Sequence, residues 1–132
     1  MEPWSGIADA DAHLGRAFPL PRATLPLARW VEVRPSGPHG VEVEWNLDDT
    51  REGAPGRLAL YAGTQPPEER AWDVPAERVD GVELRTLPLE EAEPSLRPAH
   101  ELRWRHDGLH LRLTAQGPWQ REALVAIAAS VG

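Results

Sequence analysis

Residues 100–132 carry an alternation that leaves little choice of fold. Leu102, Trp104 and His106 alternate with Arg103 and Arg105, Asp107-Gly108 interrupts, and Leu109, Leu111, Leu113 and Ala115 then alternate with His110, Arg112 and Thr114. Side chains two residues apart share one face of a strand, so the pattern is two antiparallel strands around a two-residue loop. An Asp-Gly loop favours a type I′ turn, whose positive φ at both central residues matches the twist of the strands it joins. That turn sets the register: His106 opposite Leu109, Trp104 opposite Leu111, Leu102 opposite Leu113. These six side chains are expected on one buried face, with Arg103, Arg105, His110 and Arg112 on the other. Gly117-Pro118 follows, and proline suits a first helical position because its missing N–H would go unsatisfied there. From Trp119, the residues Ala123, Leu124, Ile127, Ala128 and Val131 recur at helical spacing, which predicts a helix packed on the buried face of the hairpin.

Upstream, Ser5 can cap a short helix with Ile7, Ala10 and Leu14 on one face and Gly15 at its end. Phe18-Pro19-Leu20-Pro21 and Leu25-Pro26 force an extended connection. Strands are predicted over about Ala28 to Arg34, Val41 to Leu47, Arg57 to Ala62 and Arg78 to Leu87, with Trp72 to Val74 as a further short strand. Asp80-Gly81 would be a second hairpin turn or a bulge. Pro35 to Gly40 reads as a turn, and Asp48 to Gly56, Gln65 to Arg70 and Leu87 to Pro98 as polar or proline-rich loops. The reading is a single α+β domain. Residues 1–26 form the N-terminal helix and connection, 27–116 an antiparallel sheet of about six strands, and 117–132 the C-terminal helix, both helices packing on one sheet face.

Composition narrows the function classes. With 132 residues, 41% of them hydrophobic, the chain can bury a core. Its 21 acidic against 14 basic residues give a net charge of −7, unlike the cationic surface that nucleic acid requires. No apolar run approaches the ~20 residues of a membrane-spanning helix. Met1-Glu2-Pro3-Trp4 has neither a basic leader nor an apolar core, so no signal peptide is expected. The chain as written therefore points to the cytoplasm, whereas an excised domain would fit an extracytoplasmic place. The absence of cysteine excludes disulfides and thiolate chemistry. All 14 basic residues are arginine, which removes Schiff-base and P-loop lysines. GC-rich codon usage explains that bias more simply than function does.

The ends of the chain carry a family resemblance. A-H-L-G-R-A-F-P-L-P-R-A-T-L-P at Ala12 to Pro26 resembles the opening of the bacterial domain of unknown function four-three-six-seven, a helix and a Phe followed by spaced prolines before the first strand. L-R-W-R-H-D-G-L-H-L-R-L followed by E-A-L-V-A-I-A-A-S-V, within Leu102 to Val131, is similar to that family's ending. The two stretches cover roughly a third of the chain. The resemblance implies an anti-sigma-associated sensing or binding role, in an architecture like that of the MucB/RseB regulators and the LolA lipoprotein carriers. It carries no catalytic residues.

The residues themselves point the same way. His106 and His110 fall on opposite faces of the hairpin, and Asp9, Asp11 and His13 spread around a helix, so no metal centre is expected. None of Ser5, Ser36, Ser95 and Ser130 sits in a nucleophile elbow, and Glu68-Glu69 and Glu90-Glu91 lie in loops where solvation is expected. No catalytic constellation or cofactor is predicted, and the chain reads as a non-enzymatic binding or regulatory module. The tentative binding residues are Arg103, Arg105, His110 and Arg112, a basic stripe for a protein partner or small anionic ligand, with Trp30 and Trp72 as a possible apolar rim. Pairing of that stripe with Glu32, Glu42, Glu44 and Glu83 across the sheet is the simpler explanation of it. The alternative function is carriage of an apolar ligand or lipoprotein between sheet and helices, and an unrecognised enzyme ranks third.

Overall fold

The computed structural model describes residues 7–25, 28, 30–47, 56–87, 99–117 and 119–132. The elements are α1 (Ile7–Leu14), β1 (Trp30–Pro35), β2 (Gly40–Asn46), β3 (Arg57–Gly63), β4 (Glu77–Val79), β5 (Val82–Leu87), β6 (Ala99–His106), β7 (Leu109–Gln116) and α2 (Arg121–Ser130). All seven strands form one open antiparallel sheet in the order β1-β2-β3-β7-β6-β5-β4.

The count is seven rather than six because Asp80-Gly81 is a hairpin turn that splits 77–87 into two strands. Asp80 and Gly81 have φ of 49° and 82°, and Asp107 and Gly108 have 52° and 77°, so the same primed-turn chemistry operates twice. The register across β6 and β7 is the expected one, with His106 against Leu109, Trp104 against Leu111 and Leu102 against Leu113. Trp72 to Val74 is not a strand. It belongs to a loop over residues 64–76 that lies against the outer sheet face, where its backbone finds side-chain partners instead of a ladder. Ser5 and Pro118, and all but the end residues Gly56 and Leu87 of the loops expected over Asp48 to Gly56 and Leu87 to Pro98, lie outside the described residues.

Strand parity divides the molecule. Val41, Val43, Leu58, Leu60, Leu84, Leu102, Leu111 and Leu113 share the inner face, and they form one buried cluster with Ala10 and Leu14 of α1 and Leu124, Ile127 and Ala128 of α2. Gly15, at a φ of 79°, ends α1 by donating its N–H to the Asp11 carbonyl. The link that follows is tied to α2: Arg22 N donates to the Ser130 carbonyl, and Ser130 Oγ accepts from Arg22 N and Ala23 N. Three inward expectations fail at the periphery. His106 is exposed because it stands at the hairpin tip beyond the helices, Ala123 faces solvent, and Ile7 is 37% exposed.

On the outer face Tyr61 lies over Gly40 and Gly63, where a Cβ at either glycine would strike its ring. Gly108 is different, with open space around it and only its left-handed backbone to favour glycine. Gly108→Ala should lower the free energy of unfolding by about 1–2 kcal/mol. Gly63→Ala, which must displace the Tyr61 ring, should cost more. Urea denaturation of both variants checks the order.

Candidate functional site

The outer face is a lattice of charges. One row runs Arg34, Glu42, Tyr61, Arg112, Arg103, Glu83 and Arg78 across all seven strands. The next runs Glu32, Glu44, Ala59, Thr114, Glu101 and Arg85. All four residues of the basic stripe are therefore on the expected side, but they are not uniformly exposed. Arg112 is buried, Arg103 and His110 are half-buried, and Arg105 is exposed.

Arg103 and Arg112 stand directly opposite one another, an arrangement of like charges that is unfavourable without an anion between them. Glu69 supplies the remedy from the 64–76 loop. Its carboxylate accepts from Arg112 Nη1 at 2.6 Å, and its backbone carbonyl accepts from Arg103 Nη2 at 3.0 Å. Arg112 also donates to Glu42 at 2.9 Å and lies over the Tyr61 ring, 5.8 Å from its centroid. The buried Glu101 accepts from Arg103 at 3.2 Å and from the Trp72 backbone N at 3.3 Å. Tyr61 completes the seam by donating to the Gln65 carbonyl at 2.7 Å. Glu69 is thus not simply solvated: hydrogen bonding and charge from Arg112 hold its carboxyl below the usual range.

A groove of about 420 Å³ opens beside this seam, under the edge made by Pro66 and Pro67. Arg78, Glu83, Arg103, Arg105 and His110 line it. Arg78 and Arg103 have carboxylate partners in Glu83 and Glu101. Arg105 has no ion pair among the described residues, and the Nε of Arg103 is buried without a hydrogen-bond partner. Partial burial and then the neighbouring Arg105 charge push the His110 pKa below its ordinary 6.5. The groove therefore presents a cationic wall to an anion.

A smaller hollow of about 230 Å³, with Glu42, Trp72, Glu101 and Arg112 in its walls, lies under the same loop. A third, of about 390 Å³, lies between β4, β5 and α2, against Val79, Leu84, Val125 and Ala126. Trp30 is at the far edge of the sheet, four strand spacings or ~19 Å from β6, so it shares no site with Trp72. Among the described residues no cluster of three or more His, Asp or Glu side chains is placed to hold a metal ion. Asp11 instead accepts from the Phe18 backbone N, and His13 Nε2 lies 3.1 Å from the Gly37 carbonyl. No family model, curated protein or solved structure matches the chain.

Glu69 and Glu101 carry roles that the sequence reading did not assign. The available signal was the register itself, since two opposed arginines require a nearby acid. His100 is buried on the inner face. It hydrogen-bonds Thr86 at 2.9 Å, while burial and then the Arg121 charge lower its pKa.

Two outcomes follow from these partners. Arg112→Met leaves Glu42 paired with Arg34 alone while Glu69 turns to water, so no buried charge is stranded and the loss should be that of a charged hydrogen bond, about 1.5–3 kcal/mol in denaturant unfolding. Acid should act in two stages. Below the ordinary histidine value of 6.5, the unfolded chain protonates His100 more readily than the folded one, so stability falls from there down through the folded value. For Glu44, burial raises the pKa, but hydrogen bonds from Arg57 and Arg34 outweigh it, so its contribution holds above the ordinary 4.5 and is lost at lower pH. Melting curves of His100→Gln should show a smaller first stage, the remainder coming from His110, and keep the second.

Proposed function

We propose that this chain is a non-enzymatic binding module that docks an acidic segment of a partner protein in the groove lined by Arg78, Arg103, Arg105 and His110. The observation carrying this reading is the convergence of three guanidiniums and an imidazole on one groove of a chain with net charge −7, with Arg105 lacking an anion partner among the described residues. Guanidiniums recognise carboxylates by paired, directional hydrogen bonds, and the proline-edged loop restricts one side of the groove. The regulatory role implied by the resemblance of the two ends to the domain of unknown function four-three-six-seven fits a module of this kind. In this reading Arg112 positions the loop and does not meet the partner, and Trp30 takes no part.

Carriage of an apolar ligand is the second reading. It draws on the hollow between β4, β5 and α2, whose walls include Val79, Leu84, Val125 and Ala126. Against it, the described interior between sheet and helices is filled by side chains such as Leu60, Leu102, Leu113 and Leu124, each fully buried. Ligand would have to lie at the rim.

A fluorescently labelled oligo-glutamate peptide distinguishes the two. Arg105→Ala should leave the melting temperature unchanged and weaken peptide binding at least tenfold. Affinity should rise as pH falls through the depressed His110 value, where its cationic form appears. Undiminished binding by Arg105→Ala would count against the groove, and stoichiometric co-purified lipid would favour the carrier.

A further inference from the structure

The two edges of the sheet are unequal. β4 has three residues, whereas β1 has six, and β1 carries two of the most exposed large hydrophobic side chains, Trp30 at 43% and Val31 at 50%. Among the described residues no strand pairs with its outer side, and the direction of the backbone groups there can be deduced. Ser36 N donates to the Gly40 carbonyl, in register with the β1–β2 ladder, so residues of β1 with even numbers face β2 through their backbone groups. Thr64 N donates to the His39 carbonyl, which puts the odd residues of β2 toward β3 and agrees with that alternation. Val31, Val33 and Pro35 consequently direct their backbone groups away from the sheet.

We infer that β1 pairs with β1 of a second copy of this chain about a two-fold axis at Val33, joining two seven-stranded sheets into one. An antiparallel partner must set odd residues against odd residues, which leaves three main centred registers. Centring on Glu32 puts Glu32 against its own copy, and centring on Arg34 puts arginine against arginine, both unfavourable. Centring on Val33 places Glu32 against Arg34 of the other copy on both sides of the axis. The same register allows Val33 to exchange two backbone hydrogen bonds with its copy, and each Val31 N–H to reach a Pro35 carbonyl.

Val31, Val33 and Pro35 would then line the inner side of the seam, and Glu32 and Arg34 the outer side. Pro35, which has no N–H, ends the pairing and disfavours longer or shifted registers. The contact is isologous and uses up both long edges, so it closes at two copies. Six residues a side fall well short of the roughly 20–30 of a stable interface, so the dimer is reversible and concentration-dependent. It leaves the arginine groove on each copy free, since the nearest strand lining it, β7, lies three strands from β1.

Sedimentation velocity over a wide concentration series tests the pairing. The parent chain should move from the mass of one chain to twice that mass. Glu32→Arg and Arg34→Glu should each stay at one chain mass, because each puts like charges face to face. An equimolar mixture of the two should recover the doubled mass through two opposite-charge pairs. Val33→Pro removes an N–H that points away from β2, so it should keep the fold by circular dichroism and abolish the dimer. Should Arg34→Glu unfold through loss of its bonds to Glu42 and Glu44, Glu32→Arg and Val33→Pro still decide the matter. A parent chain that stays at one chain mass throughout, or self-association that persists in both Glu32→Arg and Val33→Pro, overturns the inference. Arg105→Ala should dimerise like the parent, which separates this result from the fate of the groove.

Discussion

Arg103 faces Arg112 across the central hairpin, and the outer half of the molecule is organised around that opposition. Two guanidiniums at cross-strand distance repel, and one of them is buried, so each needs an acceptor that the sheet does not place between them. Glu69 provides both acceptors from a loop, its carboxylate to Arg112 and its carbonyl to Arg103. Glu101 accepts from the same Nη2 of Arg103 and fixes the Trp72 backbone, while Arg103 Nε stays without a partner. The loop is thereby drawn across the sheet, and its proline edge, once drawn there, becomes one wall of the arginine groove.

Burying charges is costly unless they are paired, and this face shows how the cost is contained. Glu44, Glu101 and Arg112 are the charged residues most removed from solvent, and each has at least two polar partners. The lattice favours the observed register, because sliding β7 by two residues would carry Arg112 away from both Glu42 and Glu69. The inner face supplies the main driving force through its leucines and valines, closed by α1 and α2.

Much of this was legible in the sequence where a local rule governs. Asp107-Gly108 and the alternation beside it led directly to the register of β6 and β7, and from there to which side chains share a face. Asp80-Gly81 obeyed the same rule, and treating it as a turn yields the seventh strand. What could not be read locally depends on contacts between segments distant in sequence. Glu69 meets Arg112 across 43 positions, so its acidic loop looked solvated. Trp72 and Val74 alternate with Asp73 as in a strand, yet the Trp72 N–H is satisfied by Glu101, 29 positions away. His106 has the parity of a core residue but stands at the hairpin tip beside Gly132, past the end of α2, where it stays exposed.

The picture that results is a two-sided sheet with a packed apolar face and a face of ion-paired charges, interrupted where Arg105 borders a groove with no acid paired to it among the described residues. Binding is expected where that pairing is incomplete. The most direct measurement is a backbone-amide NMR titration of the full chain with an oligo-glutamate peptide. Shifts confined to Arg103, Trp104, Arg105, His110 and the turn at Asp80-Gly81 are the predicted result. Shifts centred on α2 and β4, or none at saturating peptide, would contradict it.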